Sequence, residues 1–118
     1  MSIHYTYDED TRTIHSTCDE VLTTEDIRIY FEALLGEKGT IQNAREEVDF
    51  TQITKFESTH EKFWTVKHLY SQIAREKIIA QTVFKVANPY QFGMARMYSS
   101  MADDAGTEFG FEFVGWNP

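Results

Sequence analysis

The 118-residue chain predicts a single α/β domain, with a mixed β-sheet of about five strands, an N-terminal hairpin and three helices in the order ββαβαβαβ. Three observations carry this. Two short β-patterned segments flank an acidic turn at the start of the chain. Segments with apolar residues at helical spacing then alternate with β-rich segments. The most continuous of these, Ile78 to Ala87 (IIAQTVFKVA), has the pattern of a strand buried on both faces in the middle of a parallel sheet.

The elements follow in order. Ile3, Tyr5 and Tyr7 alternate with His4 and Thr6, which marks a strand with one apolar face. A four-residue turn over Asp8–Thr11 leads to a second strand over Arg12–Cys18, closing an antiparallel hairpin. In that register positions summing to 19 pair, so His4 faces His15 on the polar side. Thr23-Thr24-Glu25-Asp26 opens the first helix, since a threonine caps free N–H groups and early acids suit the helix dipole. Ile27, Tyr30, Phe31, Leu34 and Leu35 form its apolar stripe, and Gly36 and Gly39 end it.

Arg45 to Thr51 reads as the third strand. Ser58-Thr59-His60-Glu61 matches a capping box, with Phe63, Val66, Tyr70 and Ile73 on the buried face of the second helix. After the β-rich run, Asn88 caps the third helix and Pro89 takes its first position. Phe92, Ala95, Tyr98, Met101, Ala102 and Ala105 make its inward face, and Gly106 stops it. Glu108 to Val114 is a final strand.

Composition narrows the function classes. Hydrophobic residues make up 42%, enough for one sizeable core. Eleven Lys and Arg against 19 Asp and Glu give a net charge of −8, which repels nucleic-acid backbones and anionic membrane. No stretch has the length of a membrane span, and Met1-Ser2-Ile3-His4 does not begin a signal peptide. The lone cysteine, Cys18, suits a reducing, cytoplasmic compartment. No P-loop, nucleophile elbow, dinucleotide fingerprint or zinc signature is present, so neither an enzyme nor a cofactor is expected. His4 and His15 alone are too few for a metal site, and His60 and His68 stand too far apart on their helix.

This order of elements resembles the small stand-alone STAS-like domains related to bacterial anti-sigma-factor antagonists. The resemblance rests on a Thr-led first helix, LTTEDIRIYFEALL, and on VFKVANPYQFGMARMYSSMADDAG, which matches an FG-[ML]-AR-M-[YF]-like helix after a strand. It implies a non-enzymatic regulatory or protein-interaction module. Kinase-switched members carry an Asp-Ser-[Ser/Thr]-Gly-like motif before the second helix. Here Phe56-Glu57-Ser58-Thr59-His60 stands in that place without a glycine. The subgroup often ends in an extra short helix, where this chain has Gly115-Trp116-Asn117-Pro118.

Candidate site residues follow from placement. Helix N-termini after parallel strands gather at the carboxyl edge of the sheet, where ligands of such folds bind. Thr23, Ser58 and Asn88 stand there as ordinary caps or as anion-binding positions. Ser58 and Thr59 are also the positions for a regulatory phosphate, although Glu57 and Glu61 oppose one. Tyr90, Met94 and Met97 make the third helix more apolar than one buried stripe requires, so part of this set is expected at an interface. Arg96 is either a solvated cation over the aromatic flank or a recognition point for a carboxylate. The expected partner is a protein or a second copy of the chain. The alternative is a small anionic or apolar ligand at the sheet edge.

Overall fold

Asp8 sets the register of the first hairpin. A computed structural model describes residues 2–57, 60–101 and 107–118, and of residues 60–63 and 101 the backbone alone. Strand β1 (Ile3–Asp8) pairs antiparallel with β2 (Thr13–Cys18). Asp8 Oδ1 accepts the N–H groups of Asp10 and Thr11, at 3.0 and 3.4 Å, and Arg12 takes a left-handed φ of 52°. The turn therefore covers residues 9–12 rather than 8–11. Thr6 faces His15 and His4 faces Thr17, so the expected His4–His15 pair does not form. His4 Nε2 meets Asp19 at 3.1 Å instead, and His15 Nδ1 lies 3.5 Å from Glu47.

The main sheet runs β1-β2-β4-β6-β7, adding β4 (Ala44–Asp49), β6 (Ile79–Val86) and β7 (Glu108–Phe113). Every pairing after the hairpin is parallel. Two short strands, β3 (Val21–Thr23) and β5 (Lys55–Glu57), pair parallel in a separate ribbon that the sequence pattern does not signal. The connecting helices are α1 (Thr24–Gly36), α2 (His60–Arg75) and α3 (Pro89–Met101).

The three crossovers all step the same way across the sheet. With a common hand they place all three helices on one face. Ile14, Ser16 and Cys18 of β2, Ala44, Glu46 and Val48 of β4, and Thr82, Phe84 and Val86 of β6 share that face and are buried. The opposite face carries His15, Arg45, Glu47 and Gln81. There Arg45 Nε lies 3.0 Å from Glu47 and its Nη1 donates to Gln81 at 3.1 Å. This corrects the expectation for β6. Its far face is covered at Val83, but Gln81 and Lys85 are only half-buried and Ala80 is exposed. The strand in the middle of the order is β4, whose sequence AREEVD has four ionisable residues in six.

Aromatic rings fill the space under the helices. Phe50 meets Phe84 with ring centroids 5.1 Å apart, and Phe31 meets Tyr70 edge-on at 5.1 Å. Phe92 packs on Phe111, Phe113 and Trp116, which ties α3 to the edge strand β7.

Both described caps form as the sequence indicates. Thr23 Oγ1 accepts from the Asp26 N–H at 3.1 Å, and Asn88 Oδ1 accepts from the Gln91 N–H at 2.9 Å. The Ser58–Glu61 capping box, and the inward positions Met101, Ala102 and Ala105 with the stop at Gly106, lie outside the described side chains. Gln91 has no counterpart in the sequence reading. It is fully buried, accepts the Ala87 N–H at 2.7 Å, and donates to the carbonyls of Thr51 and Ile53 at 3.1 and 3.0 Å. One side chain thus joins the end of β6, the loop after β4 and α3. Gln91→Ala leaves three backbone groups, one buried and two partly buried, without that partner and is expected to destabilise the fold by roughly 2–4 kcal/mol. Asn88→Ala, which removes a cap, costs about 1 kcal/mol. Urea unfolding of the two variants checks the order, and equal midpoints would contradict it.

Candidate functional site

A carboxylate in the central strand starts the site. Glu46 is 3% exposed, on the helix face of β4. It accepts hydrogen bonds from the Tyr30 hydroxyl of α1 and, at 2.9 Å, from the Thr82 hydroxyl of β6. The Tyr30 hydroxyl also meets Ser16 Oγ of β2, at 2.6 Å. Three strands and a helix are joined at one buried group. Burial pushes the Glu46 carboxyl above the ordinary carboxylate range, while the hydrogen bonds from Tyr30 and Thr82 pull it down.

Beside Glu46 lies a cavity of about 40 Å³. Its floor comes from β2, β4 and β6 through Cys18, Glu46, Val48 and Phe84. Its roof comes from Ile27, Tyr30 and Phe31 of α1, Tyr70 of α2 and Tyr98 of α3. Leu22, Phe50 and Ile3 close the side toward the carboxyl ends of β2 and β4. The exposed wall is almost entirely carbon. Placement under the carboxyl half of the sheet agrees with the rule for ligand positions in such folds.

Two hydroxyls at this cavity are unsatisfied. Tyr70 and Tyr98 are 3% and 4% exposed, and among the described residues neither hydroxyl has a hydrogen-bond partner. The Tyr70 hydroxyl comes close to Thr82 but completes no hydrogen bond of normal geometry. Each such orphan costs about 1–3 kcal/mol. Burial, and next the nearby Glu46, push the Tyr70 and Tyr30 hydroxyls and the Cys18 thiol upward. Burial and then Cys18 do the same for Tyr98. These groups are therefore protonated at neutral pH. With no histidine among the cavity's lining residues, the site offers hydrogen bonds and apolar contact rather than a nucleophile with a base.

The structure distributes the expected site residues differently. Thr23 and Asn88 serve as caps. Tyr90 is 48% exposed, and its hydroxyl accepts the Phe56 N–H at 2.8 Å, pinning β5 to the start of α3. Met94 is buried at 6% and belongs to the core, which corrects its assignment to a partner surface. The surplus of apolar residues on α3 is taken up because Phe92 and Met94 flank the stripe and both pack inward. Met97 is half-buried against the core. Arg96 is exposed, with its guanidinium 5.7 Å from the Phe92 ring centroid. Among the described residues no carboxylate forms an ion pair with Arg96. Ser58 and Thr59 lie outside the described residues.

The residues that sequence reasoning missed are Glu46, Tyr70 and Tyr98 as a polar set around one cavity. Glu46 stood in a charge-rich strand beside Glu47, and only the alternation Ala44-Glu46-Val48 could have marked it as inward. Among the described residues no group of three or more His, Cys, Asp or Glu could hold a metal ion. No described helix is long and apolar enough to cross a membrane.

This is a mixed α/β domain with a STAS-like fold. No family model matches the chain, and no curated protein matches it. A solved structure is similar: an uncharacterised protein from the DUF3478 family with a SpoIIAA-like fold, from Shewanella loihica PV-4. The likeness covers 98% of this chain and 86% of that chain, with a TM-score of 0.60 and 15% identity. It establishes the fold.

Glu46 also makes a prediction about pH. Its folded pKa is raised, so its contribution to stability is present below the ordinary carboxylate pKa and is lost as pH rises through the folded value. Glu46→Gln removes this titration. The stability of the variant relative to the natural protein should improve as pH rises from the ordinary carboxylate pKa to the raised folded value, by at most about 1.4 kcal/mol per pH unit, and level off above it. Urea unfolding across pH 4–8 checks it, and a pH-independent difference would contradict the assignment.

Proposed function

We propose that the protein is a non-catalytic binding module of the STAS-like type, and that its ligand is a small molecule with an apolar body held between the helices and the sheet. The carrying observation is the carbon-walled cavity flanked by two unpartnered tyrosine hydroxyls. A domain of this size loses stability to both features, since a void forfeits packing contacts and an orphan hydroxyl forfeits a hydrogen bond. A bound ligand with an apolar body restores the packing contacts. Proton transfer is a poor fit, because burial holds the thiol and hydroxyls protonated. A reduced cytoplasmic setting suits the free, buried Cys18.

The test fills the cavity. Cys18→Leu adds carbon at its floor and is expected to raise stability by roughly 0.5–2 kcal/mol. Native mass spectrometry of protein taken from cells should show an added noncovalent mass on the natural chain and none on the variant. Bare mass on both under gentle conditions would reject the reading.

A second reading has its own support on the outer flank of α3. Arg96 is exposed and, among the described residues, has no ion-pair partner, while Tyr90 stands half out of the surface beside the Asn88 cap. Here the module would meet an acidic group of a protein partner or of a second copy, through Asn88, Tyr90, Arg96 and Met97. Charge reversal by Arg96→Glu should weaken such a complex about tenfold or more. Light scattering and affinity measurements that do not distinguish variant from natural protein would remove this surface.

A further inference from the structure

We infer that the open edge of β7 joins two copies of this chain, paired antiparallel about a twofold axis at Phe111 so that their sheets become one. This surface is separate from the cavity and from the outer flank of α3.

Strand β7 ends the order of the main sheet and, among the described residues, pairs with β6 alone. The Val114 N–H donates to the Val86 carbonyl at 2.9 Å, so the even-numbered residues of β7 turn their backbone groups toward β6. The Phe50 N–H donates to the Lys85 carbonyl at 2.9 Å, which fixes the same alternation from the other side of β6. Phe109, Phe111 and Phe113 therefore point their N–H and C=O groups out of the sheet edge. Their rings lie on the helix face, half-buried, in contact with Tyr70, Phe84, Phe92 and Trp116. An edge of this kind is a template for another strand. The opposite edge, β1, differs: its Ile3 is buried, and its Tyr5 hydroxyl donates to Glu37 at 3.4 Å.

The side-chain order EFGFEF fits a second copy of itself. With the axis at Phe111, Phe111 meets Phe111, and Phe109 meets Phe113, all through outward backbone groups. On the other face Glu112 stands opposite Gly110, and Glu108 opposite Val114. Val114 is 44% exposed, a large apolar side chain that this pairing covers. Each copy carries a net charge of −8, so a self-pairing edge must above all keep carboxylates apart. Moving the axis by one residue brings them together. At Gly110 it sets Glu108 against Glu112 twice, and at Glu112 it sets that residue against itself. Like charges directly opposite destabilise a strand pair. The axis at Phe111 alone among these three joins phenylalanine to phenylalanine and leaves each glutamate opposite an uncharged residue.

Gly110 offers a test that spares the fold, because a Cβ there meets only Val83 Cγ2, at the ordinary contact distance of 3.6 Å. Gly110→Lys places a cation opposite Glu112 and should tighten the dimer. Gly110→Glu places an acid there and should weaken it. Each change is expected to be about three- to tenfold, since the contact occurs twice about the axis. Sedimentation equilibrium of the full chain, from micromolar to millimolar concentration, measures both against the natural protein. Thr6→Glu, an exposed substitution on β1, should leave the dimer unchanged. Amide hydrogen exchange should slow most at Phe109, Phe111 and Phe113 as the dimer forms, and far less at Gly110 and Glu112, which already face β6. A chain that stays monomeric at millimolar concentration overturns the inference. So does a dimer that the two Gly110 variants do not shift in opposite directions, or one that Thr6→Glu weakens.

Discussion

A carboxyl group sits in the middle strand of this sheet, away from water, and the fold is arranged to satisfy it. Tyr30 descends from α1, Thr82 rises from β6, and Ser16 on β2 completes the chain of hydroxyls. Breaking one partner of such a group leaves an uncompensated polar atom in a low-dielectric interior, where it costs most. The network thus holds α1 at one height above three adjacent strands. That height creates the roof of the cavity, because Ile27, Tyr30 and Phe31 lie on the same face of α1.

The one-sided sheet explains the rest of the design. Three crossovers in one direction place every helix over the same face, so the other face stays in water and carries paired charges. All the apolar matter must then be accommodated in one layer, between three helices and five strands. Long aromatic side chains span that layer. Rings of that size leave gaps where their flat faces do not meet, and the space among Phe31, Phe50, Phe84 and Tyr98 is of this kind. Gln91 closes the neighbouring gap with polar atoms instead. Its three backbone bonds seal the loop after β4 against α3. The contrast is informative: one buried amide is fully satisfied, while two buried phenols nearby are not.

The same contrast separates two kinds of site. The outer flank of α3 offers a fixed cation and an exposed ring, features that any solvated helix can carry. The interior holds two phenols that have no hydrogen-bond partner among the described residues, a cost that folded domains seldom bear. Unmet hydrogen-bonding capacity therefore favours the interior over the surface. Burial keeps the thiol and hydroxyls of that interior protonated.

Periodicity by itself determined the order of the three helices and the main strands, the caps at Thr23 and Asn88, and most of the apolar stripe of α1. Those are local properties, set by side-chain spacing and by the nearest few backbone groups. The sequence reading failed where the answer depended on distant partners. The turn moved by one residue, and each cross-strand partner by two, because Asp8 turned its own chain. Met94 went inward, into the core cluster that the sheet and helices share. The ribbon of β3 and β5 joined segments too short to show alternation. Above all, nothing in AREEVD distinguishes Glu46 from Glu47 as a chemical group. Strand alternation put the two on opposite faces, and only the packing of α1 over one of those faces decided which carboxyl would be buried, which hydroxyls would meet it, and where a cavity would remain.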